Sequence, residues 1–164
     1  AAALDRYAAL GAAFANAASP DTTAALSDAG GAALKNIVVL DSNGGLLSEM
    51  KMAPGFLPLS GSVLARTRSG RAVIPLKDGT GFAILFPSGE QIVAVQLDAR
   101  ALFGAASLEN AAVATKDGRV LALGANWNEM PPQASLELNG SNNATRELDL
   151  DDGHRIVSLA AVDG

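Results

Sequence analysis

An α+β fold is what this sequence predicts: an N-terminal helical segment, then two tandem antiparallel sheet units, the second reduced. Three observations carry the prediction. Leu4, Tyr7, Leu10 and Phe14 fall on one side of a helix at about 100° per residue, with alanine in most positions between them. Strand-length apolar runs rich in β-branched residues follow, separated by turn residues. The hairpin-like stretch "IVVLDSNGGLL", from Ile37 to Leu47, returns in a weaker form as "VATKDGRVL", from Val113 to Leu121.

The elements can be justified in order. After the first helix, "SPDTTAALSDAGG" reads as a second, short one. Ser19 suits the N-cap, Pro20 the first helical position and Asp21 the positive end of the helix dipole, and Gly30 or Gly31 ends it. "NIVVL" reads as a buried strand. Asn43-Gly44 signals a two-residue type I′ turn, in which both central residues need positive φ, and "LLSEM" is the returning strand. From Ala53 to Gly70, prolines and glycines surround a short helical piece near Ser62 to Thr67, which predicts a covering segment rather than sheet. "RAVIPL", "GFAILF" and "EQIVAVQL" form a three-strand meander, with Pro75 pointing to an edge position or a bulge. "DARALF" is a short connecting helix. Beyond residue 110, "AAVAT" and "RVLAL" flank Asp117-Gly118, and "ASLELN", "TRELDL" and "HRIVSLAAV" read as strands.

The two halves align. Val39 falls on Val113, Asn43 on Asp117 and Gly44 on Gly118, an offset of 74. "SGEQIVAV" from Ser88 matches "DGHRIVSL" from Asp152 at an offset of 64, and the shrinkage of ten falls in the covering segment. Hairpins of this composition are common and any two will align, but the order of elements agrees in both halves. The expected organisation is a helical segment at 1–34, a first sheet unit at 35–105 and a smaller second unit at 106–164. Sheets of this kind have one face to bury, so they pack on helices or on each other.

Composition excludes several classes of function. The 164 residues are 49% hydrophobic but only 4% aromatic, which predicts close backbone approach instead of a bulky aromatic core. A net charge of -5 with scattered basic residues argues against nucleic acid as a partner. The absence of cysteine removes disulfides, thiolate catalysis and cysteine zinc sites. No apolar run approaches the roughly 20 residues that span a bilayer. The chain starts at Ala1 without methionine and stops directly after a strand-like run, which predicts a piece of a longer protein.

A long N-terminal helix, the "V-x-D-x-x-G-x-x-L" hairpin, a cover holding a small helix and a meander closing on Asp98 to Leu102 form a recognisable order. It resembles the extracytoplasmic PAS-like sensor domains of bacterial membrane receptors, the Cache domains, and the tandem copy makes the double-Cache form the nearest comparison. The resemblance implies two tandem PAS-like units and an extracytoplasmic, periplasmic sensory domain. Membrane contact would come only through segments outside this stretch. The output would be a histidine kinase first of all, or a chemoreceptor or cyclic-dinucleotide enzyme. In that family the cover and the strand after it line the pocket, so Arg66, Arg68 or Arg71 could pair with a carboxylate ligand. The alternative is that these arginines only keep a loop soluble. The aromatic- and Arg-rich signature of amino-acid-binding members is not matched: the cover offers Phe56, Arg66 and Arg68, and the single Trp127 lies in the second unit.

Other residues weigh little as chemistry. His154, the sole histidine, reads as an exposed hairpin residue before a pH sensor or metal ligand. Glu147, Asp149 and Asp151 alternate with leucines, which is ordinary for a solvated strand face, and lack the spacing of a calcium loop. Asn139 and Asn143 sit in glycosylation-type triplets that read more simply as turns. No nucleophile elbow and no acid–base pair is apparent, so no enzymatic activity and no cofactor is expected of this stretch. The expectation is a non-enzymatic sensory module for a small-molecule or protein signal. The alternatives are an interaction or dimerisation module, with the N-terminal helix as a homodimer seam, and last a small hydrolase or lyase.

Overall fold

In the computed structural model, the described residues are 2–16, 19–51, 56–77, 79–104, 112–114, 120–123, 143–150 and 153–160. Two helices open the chain: α1 (Ala2–Asn16) and α2 (Pro20–Gly30). The Ser19 hydroxyl accepts from the Thr22 amide at 3.2 Å and caps α2, as its place before Pro20 predicts. Gly31, at φ 61, closes the helix, and a single 3-10 turn (Gly31–Ala33) leads into the sheet. The α1 stripe packs inward: Tyr7 and Phe14 are buried, and Leu4 and Leu10 lie against the same cluster. The Tyr7 hydroxyl donates to the Gly30 carbonyl at 3.2 Å, and the Arg6 guanidinium donates to that of Ala29, so the end of α2 is tied to the start of α1.

Five strands form one antiparallel sheet: β1 (Leu34–Leu40), β2 (Leu46–Glu49), β3 (Ala72–Pro75), β4 (Gly81–Ser88) and β5 (Gln91–Asp98), in the order β2-β1-β5-β4-β3. The cover contributes α3 (Gly61–Ser69), and α4 (Ala99–Phe103) follows β5, capped by the Asp98 carboxylate on the Ala101 amide at 2.9 Å. β3 lies at the edge, where the missing N–H of Pro75 costs no ladder bond.

The sheet buries both faces, where one was expected. Ile37, Val39, Ile84, Val93 and Val95 face α1 and α2, while Val38, Leu40, Leu85, Ile92 and Ala94 face the cover. The central runs "AIL" and "IVAV" lack the polar alternation of a one-sided sheet, which is the sequence sign of burial on both sides. Gly11 lets α1 come close, since a Cβ there would stand 2.6 Å from Val95 Cγ2. The helical segment therefore shares one core with the first sheet.

The β1–β2 loop also differs from expectation. It is not a two-residue type I′ turn. The Gly44 amide bonds the Asp41 carbonyl at 3.0 Å, the Asp41 amide bonds the Gly45 carbonyl at 2.8 Å, and Gly44 takes φ 88. The Asp41 carboxylate accepts from the Asn43 and Gly45 amides at 2.7 and 2.8 Å, and this side-chain bonding favours the longer loop.

In the second half, β6 (Ala112–Ala114) pairs with β7 (Val120–Leu123), and β8 (Asn143–Leu150) with β9 (Gly153–Ala160). The β6–β7 hairpin repeats β1–β2 at the predicted offset. Val38, Val39 and Leu40 pair with Glu49, Ser48 and Leu46, while Ala112, Val113 and Ala114 pair with Leu123, Ala122 and Val120. Both ladders shift register at the same step, Val39/Leu40 and Val113/Ala114. The other match is looser: Ser88 pairs with Gln91 and Leu150 with Gly153, so the hairpin closes at an offset of 62, not the aligned 64. The predicted strand at "ASLELN", Trp127 and Asp117-Gly118 lie outside the described residues.

Candidate functional site: the cover face of the sheet

Strand alternation builds a floor of small and branched apolar side chains on the cover face, with Phe56 buried against it and Leu57, Leu59, Val63 and Leu64 packed on it. α3 starts at Ser60, whose hydroxyl accepts from the Val63 amide at 3.4 Å. Thr67 is fully buried, yet its hydroxyl is satisfied by the Val63 carbonyl at 2.9 Å. Leu64 lies over Gly44, and Arg68 donates to the Ser42 carbonyl. The last turns of α3 are thus fastened to the β1–β2 loop.

One row across this face ends in two polar side chains. Ile74, Ala83, Gln96 and Asn36 stand side by side on β3, β4, β5 and β1. Asn36 uses both ends of its amide on one backbone unit: Nδ2 donates to the Lys51 carbonyl at 2.7 Å, and Oδ1 accepts from the Lys51 amide at 2.8 Å. Gln96 is only 4% exposed, and its Nε2 is enclosed with no hydrogen-bond partner. Glu49 pairs with Val38 and so belongs to the same face, and its Oε2 is likewise enclosed without a partner. Two inter-strand spacings and two residues of rise put the Glu49 and Gln96 Cα atoms roughly 12 Å apart. A buried donor and a buried acceptor left unpaired each cost about 1–3 kcal/mol of stability.

The three arginines expected near a ligand do not converge. Arg66 is exposed on α3, Arg68 is bonded to Ser42, and Arg71 pairs with Asp5 of α1 at 2.9 Å. His154 is on β9 as the register partner of Asp149, Glu147 and Asp149 are on β8, and Asp151 is outside the described residues, as is Asn139. Among the described residues no three His, Cys, Asp or Glu side chains gather as a metal set. An open groove of about 500 Å³ runs between α2 and β2, lined by Ser19, Thr23, Ser27, Ser48, Glu49, Met50 and Lys51 over Phe14.

Sequence reasoning did not single out Gln96 or Glu49. Gln96 carries a signal in retrospect: it continues the Ile92–Ala94 alternation onto a buried face, where a polar residue needs a partner. Glu49 shows no such mark, since its strand is short and at the edge. No family model, no curated protein and no solved structure matches this chain.

Proposed function

We propose that this chain is the sensory domain of a bacterial transmembrane signalling protein, a histidine kinase first of all, and that it recognises a small molecule beneath its cover on the extracytoplasmic side of the membrane. The observation that carries the reading is one sheet with two differently used faces. A hairpin, a cover with a short helix and a three-strand meander follow one another along the chain and form one sheet in the order β2-β1-β5-β4-β3, and the N-terminal helix crosses the opposite face. Among the described residues no helix is long and apolar enough to cross a membrane, so the anchor in this reading comes from sequence outside this stretch.

The mechanism follows from the layering. A ligand shifts an equilibrium only as far as it binds one conformation better than another. A molecule under the cover presses on the side of β1 and β5 opposite the one that α1 rests on. Val93 and Val95 touch the helix at Gly11, and Ala94, between them, faces the cover. A displacement of β5 therefore reaches α1 through one strand thickness. The second route runs from α3 through Arg68 to the β1–β2 loop.

A partner-recognition module is the second reading, favoured by one observation. β2 is an edge strand, and its Leu46 and Leu47 are 48% and 54% exposed, side by side. Thermal unfolding against panels of metabolites distinguishes the two. A compound that raises the melting temperature supports the sensor. A flat response, together with a protein partner whose binding is lost on Leu46→Lys, supports the module.

A further inference from the structure

We infer that Asn43 is a covalent modification site, a deamidation site that the fold holds closed by keeping the Gly44 nitrogen engaged on Asp41. The chemistry belongs to the pair Asn43-Gly44 and is independent of what the domain senses. Asparagine is a thermolabile residue. It reacts when the backbone nitrogen that follows it attacks its own Cγ, and glycine, with no Cβ, leaves that nitrogen unshielded. Asn43 is exposed, and its side-chain amide makes no hydrogen bond among the described residues. The reaction balances with water alone. The Gly44 nitrogen loses its proton and bonds Asn43 Cγ, the side-chain nitrogen leaves as ammonia, and a succinimide ring remains. Water then opens the ring at either carbonyl. One opening leaves aspartate. The other leaves isoaspartate, whose main chain runs through the former side chain and is one methylene longer.

The restraint is on the nitrogen. The Gly44 N–H donates to the Asp41 carbonyl at 3.0 Å, and the Asn43 and Gly45 amides on either side of it donate to Asp41 Oδ1 at 2.7 and 2.8 Å. The Gly45 amide first, and the Asn43 amide next, keep the Asp41 carboxyl below its ordinary value, so it is ionised at neutral pH. A negative charge beside an amide opposes removal of its proton, and the attack requires that removal. From the cover, Leu64 Cδ2 stands 3.3 Å from the place a Gly44 Cβ would take, and Arg68 donates to the Ser42 carbonyl. The second hairpin offers a comparison. Its ladder shifts register at the same step, and it carries Asp117 where Asn43 falls and Thr115 where Asp41 falls. The aspartate that deamidation leaves is therefore already the residue at the matching place, where no carboxylate stands two residues before it. At Asn43 either product sets a second carboxylate near Asp41. The isoaspartyl form also lengthens the loop to which Leu64 and Arg68 fasten α3, so the modification acts on the cover.

The test follows conversion at Asn43 by peptide mapping and mass spectrometry at mildly alkaline pH, with each chain's folded rate divided by its own rate in concentrated urea. Asn139-Gly140, outside the described residues, is read from the same digests and calibrates the urea rate. The folded parent is expected to convert Asn43 roughly tenfold or more slowly than the unfolded chain, the factor that the hydrogen bonds on Asp41 supply. Asp41→Ala is expected to restore most of that factor, and Asp41→Thr, which keeps a hydroxyl acceptor, a part of it. Asn36→Ala weakens the same hairpin at its far end and should leave the ratio near that of the parent. Conversion in the folded parent as fast as in urea overturns the inference, and so does an Asp41→Ala ratio equal to the parent's. Should Asp41→Ala fail to fold, the same comparison is made on Asp41→Thr. Equal acceleration by Asn36→Ala and Asp41→Ala overturns it too, because hairpin stability and not Asp41 would then set the rate. No conversion at Asn43 in urea, while Asn139 converts, refutes the site itself.

Discussion

The side chain of Asn36 bonds both backbone polar groups of Lys51, at 2.7 and 2.8 Å, and extends the β1–β2 ladder one step beyond its last strand residue. An amide side chain here does the work of a peptide group, because Met50 has already made its own bond to Ile37 at 2.8 Å and the chain then leaves the sheet. Asn36→Ala leaves the Lys51 amide and carbonyl without partners at a part-buried site. The expected loss is about 1–3 kcal/mol, read from urea unfolding. Asn36→Asp should be at least as damaging, since the donor to the Lys51 carbonyl is lost and a charge is introduced.

Gly11 is the point where α1 meets β5. A Cβ there would lie 2.6 Å from Val95 Cγ2 and 3.0 Å from Val93 Cγ1. In a free helix Gly11→Ala would stabilise by up to about 1 kcal/mol. Here the overlap outweighs propensity, and Gly11→Val should cost about 1–3 kcal/mol and lower the melting temperature. A variant as stable as the parent would show that α1 does not approach the sheet so closely.

Asp41 links the β1–β2 loop to pH. The Gly45 amide first, and the Asn43 amide next, hold its carboxyl below the ordinary value of 3.8. Because the folded state binds the proton less readily than the unfolded chain, the stabilisation is complete above about pH 4 and is lost as pH falls through the depressed folded value. Asp41→Asn should reduce stability at pH 7 and flatten its dependence on pH between about 5 and 2. Parallel curves for parent and variant would contradict this.

The Arg71–Asp5 ion pair joins the start of β3 to α1, but its side chains are 36% and 60% exposed. Solvent screening should hold its coupling to about 0.2–1 kcal/mol in a double-mutant cycle, and 0.5 M salt should remove most of that. A coupling well above this range would show the pair to be a structural fastening of α1.

Much of the architecture was legible because it follows from local chemistry. Ser19 before Pro20, the short helix in "DARALF" and the helical piece within the cover all stand where residue type places them. The offset of 74 between the two hairpins was legible, and the structure adds a register shift at the same step of both. The loop type was misjudged at Asn43-Gly44 because the strongest two-residue signal competes with Asp41, whose carboxylate rewards a longer loop. The arginines were singled out because the resembling family lines its pocket with the cover and the next strand; here Arg68 bonds the Ser42 carbonyl and Arg71 pairs with Asp5.

Residue pattern alone set the element order, the cap of α2 and the first hairpin's return at an offset of 74, and narrowed Pro75 to an edge or a bulge, since each depends on interactions within a few residues or on side-chain periodicity. Only the tertiary structure decided that the sheet is enclosed on both faces, that Asn36 is satisfied and that Gln96 and Glu49 are not. Those facts depend on which strands become neighbours and what covers them: Asn36 and Gln96 meet across sixty residues of chain, and no local pattern says which strand will stand beside either.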